Sequence, residues 1–469
     1  MIARTKIVAT IGPASRDTAM LSKLLQAGAD VFRVNFSHGT YEEHEISLAN
    51  IAAASKAVNT PVAVLADLCG PKIRVGKVAG PVELREGADI TIQRETIEGD
   101  ASRISTTLPE MIDNVHPGES IMLDDGKLRL EVTAVNAPES FTCRVTRGGM
   151  LSSGKGINLP HTKLSLSALT EKDRRDVAWI AARADIDYIA LSFVQRPEDI
   201  HELRALLKQH GKSLPIVAKI EKPQALARIE EIVQAVDAVM VARGDLGVEM
   251  ELPSVPLAQK RIVRLCQQAG KPCIVATQML ESMIDSATPT RAEVCDIANA
   301  VLDQTDAVML SGETAVGKFP VEAVTMMNDT IVATEAWHDD HAAPVPESEP
   351  ATGAVAAAVR AVTRHEKIAA VAVYTATGAT ARVLSKSRLH VPILAVSPDA
   401  AMVRRACLYY GVEPVCHAAP EHTRDVLRIA QRVAIANGLA KPGDKLIVLS
   451  GRPIGKPGAT NTIVIHTVT

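Results

Sequence analysis

Aromatic side chains are scarce in this chain, 3% of 469 residues, which removes the stacking platforms that single-strand nucleic-acid binders use. An excess of one charge is missing too. The formal net charge of -3 gives no general pull toward nucleic acid or anionic lipid. No apolar run reaches the roughly 18 residues that a membrane span needs. The N-terminal residues enter a strand pattern at once, so no targeting address is expected. The seven cysteines are odd in number and form no Cys-x-x-Cys pair, which reads as reduced thiols and a cytoplasmic location. No histidine cluster argues for zinc. Nucleic acid and membrane are therefore not expected partners.

What is present is an ordinary globular composition, 47% hydrophobic and 22% charged, in a chain too long for one core. Short apolar runs recur at Ile7 to Gly12, Val31 to Phe36, Val62 to Asp67, Tyr188 to Phe193, Ile216 to Glu221, Val239 to Asp245, Cys273 to Gln278 and Ala307 to Glu313. Helical stretches separate most of them, among them Leu21 to Ala27, Glu198 to Gln209, Gln224 to Ile232 and Ala258 to Ala269. Eight parallel strand-helix units predict an α/β fold, a (β/α)8 TIM barrel over residues 1–70 and 168–340. Residues 71–167 break the rhythm with alternating strands and tight turns, including Asp124-Asp125-Gly126. They predict an inserted all-β domain, a β-barrel lid at the catalytic mouth. A polar, proline-rich linker from His338 to Pro350 leads to a third domain, 350–469. Its strands (Ala369 to Tyr374, Pro392 to Ser397, Lys445 to Ser450) alternate with helices, which predicts a C-terminal open α/β sheet.

Active sites of such barrels lie at the C-terminal strand ends, where residues two apart share a face. Arg33, Asn35 and Ser37 share one on strand two, Lys219 and Glu221 on strand five, and Arg243 and Asp245 on strand six; strand seven offers Thr277, and strand eight Ser311 and Glu313. A structural salt bridge accounts equally well for Lys219-Glu221 alone. Convergence of five such strand ends points to a site, because these charges are costly to bury without partners or ligands. Glu221 and Asp245 suit a hard cation such as Mg2+ or Mn2+. Arg33, Lys219 and Arg74 supply the positive charge that a transferring phosphoryl group requires. Gly244 lets the backbone approach a ligand.

At these residues the sequence resembles the pyruvate kinase family. The likeness runs through Arg4 to Pro13, Arg33 to Gly39, Gly70 to Arg74, Gly154 to Pro160, Lys219 to Glu221, Met240 to Gly247, Ala276 to Met283, Leu310 to Ala315 and Gly458 to Thr462. The resemblance implies phosphoryl transfer from phosphoenolpyruvate to ADP, giving ATP and pyruvate, the final step of glycolysis. It makes Glu221 and Asp245 the Mg2+ ligands and Lys219 the stabiliser of the phosphoryl group in flight. Arg33, Gly244, Asp245 and Thr277 become substrate contacts, with Arg33 and Thr277 also catalytic. Asn35, Phe36, Ser37, His38, Arg74 and Lys155 fall on the nucleotide side, Lys155 being delivered by the lid. For the proton donor, Thr277 and a water chain toward Ser311 and Glu313 remain equal alternatives. The resemblance also implies a homotetramer.

Many members of that family require K+, held by residues matching Asn35, Ser37, Asp67 and the carbonyl of Leu68. Here Lys72 stands where those members commonly carry glutamate, and brings its own ammonium. Activity without K+ is therefore expected; the plainer reading is a solvated surface charge. In the third domain, Thr375, Thr377, Gly378, Thr380 and Arg382 lie at a strand-to-helix turn that is either a helix cap or an anion site. The resemblance favours the anion site, for a sugar-phosphate or nucleotide effector, with Gly451 to Gly458 closing over it. Two other readings compete. One is a barrel lyase acting on a pyruvate-like acid through Mg2+ or a Schiff base on Lys219. The other is a non-catalytic sensor that uses only the third domain.

Overall fold

The computed structural model describes residues 3–160, 162, 167–341, 351–420, 422–451 and 460–469. Eight parallel strands close a barrel: Lys6–Thr10, Val31–Asn35, Ala63–Asp67, Tyr188–Leu191, Ile216–Ile220, Ala238–Ala242, Cys273–Ala276 and Ala307–Leu310. They pair in chain order, strand three directly with strand four and strand eight with strand one. Both faces of each strand are covered, so the runs read as continuously apolar rather than alternating. Ile7, Phe32, Val64, Ile216 and Val308 face the helices, while Val8, Val31, Leu65, Val217 and Met309 fill the barrel. Full burial of each such side chain stabilises by roughly 1.5–3 kcal/mol. The same two-residue period then aims Arg33, Asn35, Asp67, Lys219 and Glu221, which follow the inner residues, into the mouth.

At the opposite end four aspartates stand immediately before the even-numbered strands. Each accepts an N–H near the start of the preceding strand: Asp30 from Ile7 (2.8 Å), Asp187 from Val64 (3.0 Å), Asp237 from Ile216 (2.9 Å) and Asp306 from Cys273 (2.8 Å). These bonds satisfy donors that the ladder leaves open where one strand begins before its neighbour. The expected helix from Gln224 to Ile232 is two helices, Pro223–Ala227 and Ile229–Ala235, because the backbone at Arg228 (φ -120, ψ 25) leaves the helical region.

The insert leaves after strand three and returns before strand four. Its six-stranded sheet runs in the order Ile157–Asn158, Ser120–Leu123, Leu128–Asn136, Ser140–Arg147, Asp89–Gln93, Arg103–Ser105, and Val82–Leu84 pairs separately with Gly149–Leu151. Ile90, Ile92, Leu130 and Phe141 give it a core of its own. Asp124, Asp125 and Gly126 turn the expected hairpin with φ of 50, 55 and 82. Its return through 161 and 163–166 lies outside the described residues.

The helix Pro320–His341 runs through the first four residues of the expected linker; the rest of that linker, 342–350, lies outside the described residues. Beyond it a five-stranded sheet has the order Val412–Cys416, Ile393–Ser397, Ile368–Tyr374, Lys445–Gly451, Thr460–Thr467, the last antiparallel. The first and last of these were not expected. Val412–Cys416 carries Pro414, which an edge strand tolerates. Thr460–Thr467 is the other edge, and follows residues 452–459, so most of the expected Gly451 to Gly458 flap also lies outside the described residues.

This domain seals the barrel's N-terminal end. Cys407 and Leu408 join the barrel's inner cluster, and the Tyr188 hydroxyl donates to the Arg405 carbonyl at 2.7 Å. Arg404 pairs with Asp187 at 3.0 Å, Lys386 with Asp306 at 2.6 Å, and Glu413 with Lys6 at 3.5 Å. Among the described residues no helix is long and apolar enough to cross a membrane.

Candidate active site

Lys219 is locked at the mouth. Its ammonium lies 2.9 Å from Glu221 Oε1 and 3.3 Å from Asp67 Oδ1, and donates to Ser192 Oγ at 2.7 Å. Ser192 in turn donates to the Leu68 carbonyl at 2.7 Å. Burial works against the charged amine, but Asp67 and Glu221 outweigh it and hold the ammonium above the ordinary lysine pKa. A Schiff base needs the reverse, a desolvated free amine. Arg33 reaches the other oxygen of Asp67 at 2.6 Å and the Thr10 hydroxyl at 3.1 Å. Burial would raise the Asp67 carboxyl; Lys219 and Arg33 together bring it below the usual range.

Glu221 is 1% exposed. One oxygen takes the Phe193 N–H at 2.7 Å, for which Phe193 adopts φ 56. Burial pushes its pKa up, Lys219 opposes this and the nearby Asp245 carboxylate adds to it. Two carboxylates that raise one another's cost are what a divalent oxygen-seeking cation relieves. Among the described residues no group of three or more His, Cys, Asp or Glu side chains is placed to hold a metal, so Glu221 and Asp245 would have to be its protein ligands, with substrate oxygens completing the shell. That donor set fits Mg2+.

Strand six ends at Ala242, and Arg243–Glu249 is a helix. Arg243 and Asp245 therefore do not share a strand face, contrary to expectation. Arg243 turns to Asp296 at 2.7 Å and to the Thr277 carbonyl at 2.8 Å, supporting strand seven from behind. Asp245 stays at the mouth, with Lys72 Nζ 3.5 Å from its Oδ1. Thr277 sits just past strand seven at φ 71, where its hydroxyl accepts the Gly244 N–H at 2.7 Å. Gly244, Asp245 and Thr277 are thus tied together. Glu313 gives both oxygens to backbone N–H groups, of Leu280 and Ser311, and so acts as a buried cap.

On the nucleotide side, Asn35 and His38 line a cavity of about 430 Å³ together with Thr10, Pro13, Arg16, Glu43 and His44; the last five were not foreseen as site residues. Asn35 Oδ1 accepts the Ser37 N–H at 3.1 Å. The Phe36 ring is buried against His44, with centroids 4.3 Å apart, and its carbonyl takes the Lys172 ammonium at 2.6 Å. Partial burial, then Arg74, Arg33 and Lys72, hold the His38 imidazole below its usual pKa. Arg74 donates to the Gly154 carbonyl at 2.9 Å, and the neighbouring Lys155 is held by Asp124 at 2.9 Å.

Of the four groups matched to a K+ site, Asp67 and the Leu68 carbonyl have the partners given above, and Asn35 Oδ1 accepts the Ser37 backbone N–H. Lys72 faces Asp245 rather than any of the four. In the third domain, Thr375 Oγ1 accepts the Gly378 N–H at 3.0 Å and the Thr380 hydroxyl meets that of Thr460 at 2.7 Å. Thr377 Oγ1 lies 3.5 Å from the Ala379 N–H. Gly378 has φ 78 and caps the helix Ala379–Lys386. Arg382 is not gathered into this turn; it reaches the Gly270 carbonyl of the barrel at 3.3 Å.

Two family models match the chain: that of the pyruvate kinase barrel domain over residues 2–324 and that of the pyruvate kinase alpha/beta domain over 353–466. The chain is 43% identical to a pyruvate kinase of Geobacillus stearothermophilus over 99% of its own length and 80% of that protein's. It is also 43% identical to a pyruvate kinase of Methylorubrum extorquens, covering 99% of this chain and 98% of the relative. Its fold is similar to that of a crystal structure of a pyruvate kinase from Cryptosporidium parvum, with a TM-score of 0.92 and 33% identity, over 100% of this chain and 96% of that one.

Proposed function

The chain belongs to the pyruvate kinase family, whose members are phosphotransferases, and from that premise we propose that it transfers the phosphoryl group of phosphoenolpyruvate to ADP, giving pyruvate and ATP. The observation that carries this reading is the convergence at one mouth of Arg33, Lys219 and Lys72 with Asp67, Glu221 and Asp245. Three positive and three negative side chains balance there, so phosphoenolpyruvate, a phosphate dianion joined to a carboxylate, is accommodated along with a divalent cation. Glu221 and Asp245 would hold Mg2+ (or Mn2+), which supplies charge neutralisation on the transferring phosphate. Lys219, already oriented by Asp67, Glu221 and Ser192, meets the equatorial oxygens of the phosphoryl group, where a loose transition state spreads charge. Arg33 binds the substrate from strand two. Gly244, Asp245 and Thr277, tied together by the bond from the Gly244 N–H to the Thr277 hydroxyl, complete the substrate contacts. Asn35 to His38, Arg74 and Lys155 take the nucleotide, with the insert closing as a lid once Lys155 leaves Asp124.

A coupled assay of phosphoenolpyruvate-dependent ATP formation from ADP tests the reading. ATP formed only when both substrates and Mg2+ are present is the expected result. Borohydride trapping of a substrate adduct on Lys219 would instead support the lyase reading.

Three finer parts complete the proposal. Lys72, 3.5 Å from Asp245 and not at the four groups matched to K+, supplies a monovalent positive charge at the mouth, so activity does not need K+. The Thr375 to Arg382 turn binds the phosphate of a sugar-phosphate or nucleotide effector, to be tested by titrating effectors against phosphoenolpyruvate saturation; a flat response to all of them would favour a plain helix cap. The enzyme works in the cytoplasm as a homotetramer.

A further inference from the structure

Glu249, the last residue of the helix Arg243–Glu249, has a fully buried side chain. A single oxygen, Oε1, accepts from Lys222 at 2.7 Å and from Asn158 at 2.8 Å, while Oε2 has no hydrogen-bond partner among the described residues. A buried ion pair with an unsatisfied oxygen is poor at stabilising a fold, so stability alone does not explain this arrangement. Its connections are more informative. Lys222 directly follows Glu221. Asp245 and Glu249 are four residues apart on one helix, and hence on one face. Asn158 belongs to the insert, three residues after Lys155. One carboxylate thus joins the segment bearing Glu221, the helix bearing Asp245 and the strand that returns from the lid.

The insert bears on the same helix at two more places. Lys72 reaches Asp245 at 3.5 Å, and a Cβ built on the hairpin's Gly126 would lie 3.7 Å from Val248 Cγ1. We infer that Glu249 is a positioning residue for the divalent-cation site: through Lys222 and Asn158 it fixes the separation of Glu221 and Asp245 and makes that separation depend on where the insert sits. The inference rests on the metal reading proposed above. A ligand that closes the insert would therefore tighten cation binding, and a bound cation would favour closure, by linkage.

The test uses the full chain with Mn2+ alone as probe, without nucleotide, following free Mn2+ by electron paramagnetic resonance. Glu249→Gln should weaken Mn2+ by about tenfold or more, the scale of losing an outer partner of a metal ligand. Asn158→Ala, which cuts only the arm to the insert, should weaken it by a smaller factor, with a thermal melt of each variant recorded so that only folded protein is compared. Asn158→Ala also keeps the test open if Glu249→Gln does not fold. Wild-type Mn2+ affinity in Asn158→Ala would overturn the link to the insert, and wild-type affinity in Glu249→Gln would reduce Glu249 to a structural tie. A wild-type chain that binds no Mn2+ would overturn this inference and the metal reading together, whereas a chain that binds Mn2+ but makes no ATP would overturn the proposed reaction alone.

Discussion

The two ends of the barrel are built from the same kinds of side chain and do opposite things. At the N-terminal end, Asp30, Asp187 and Asp306 meet Lys6, Arg404, Lys386 and Arg388. At the mouth, Asp67, Glu221 and Asp245 meet Arg33, Lys219 and Lys72. The difference lies in completion. Each acid at the closed end also takes a strand N–H, and around Asp306 the third domain excludes water, leaving the Lys386 and Asp306 side chains 6% and 2% exposed. At the mouth, Asp67 Oδ1 has an ion pair but no hydrogen bond among the described residues, and Lys72 and Asp245 remain 30% and 26% exposed. A cluster whose carboxylates are all satisfied holds domains together, even with Arg388 Nε left without a hydrogen bond among the described residues; one whose carboxylates are left short of partners is ready for a ligand.

Removing one charge from each end separates stability from turnover. Asp306→Ala strands Lys386 and Arg388 in a buried place and frees the Cys273 N–H, so it should cost about 3–5 kcal/mol of stability. Turnover per folded molecule should stay near wild type. Denaturant unfolding of the full chain, read beside activity at moderate temperature, checks both. A large loss of turnover in folded Asp306→Ala would show that the closed end is not merely structural.

Lys219→Met is the converse. Turnover of the folded protein should fall by roughly 10²-fold or more, as for loss of one preorganised donor. Near-normal turnover in steady-state assays would remove Lys219 from the chemistry.

Much of this contrast could be read before the fold was known, and what could not has identifiable causes. The period of two carries Arg33, Asn35, Lys219 and Glu221 into the mouth, because alternation persists to the end of a strand. It fails for Arg243, one residue beyond strand six, where the chain has become a helix and period 3.6 takes over. Ser192 and Glu249 carry no local signal, since their meaning lies in partners 27 residues away in each case, Lys219 and Lys222. The aspartates before the even strands are visible as Asp-apolar junctions, but which N–H each one caps depends on strand neighbours. Pro414 hid an edge strand, as proline does wherever the sheet position is unknown.

Lys72 is the most exposed of the three cations at the mouth. Wild-type activity in buffers free of K+ and NH4+ should equal that with K+. Lys72→Glu should lose roughly tenfold or more without K+, the scale of a hydrogen bond to a charged group, and regain it when K+ is added. If Lys72→Glu instead changes only the Mg2+ half-saturation, then Lys72 acts through Asp245, the group it touches, and not as a stand-in for K+.

The smallest effect is expected at Asp237, which separates two roles that the other three aspartates combine. Like them it precedes an even strand and accepts a neighbouring N–H, here from Ile216 at 2.9 Å. Its ion-pair partner is different: Arg204 of the barrel's own helix Pro197–Gln209 at 3.0 Å, with the two side chains 44% and 43% exposed. Water can replace both contacts. Asp237→Ala should therefore cost about 1 kcal/mol or less, with part of that loss removed by salt. If unfolding experiments find a cost close to that of Asp306→Ala, then capping the strand is what stabilises the closed end. The small cost expected assigns that stability to the buried cations of the third domain.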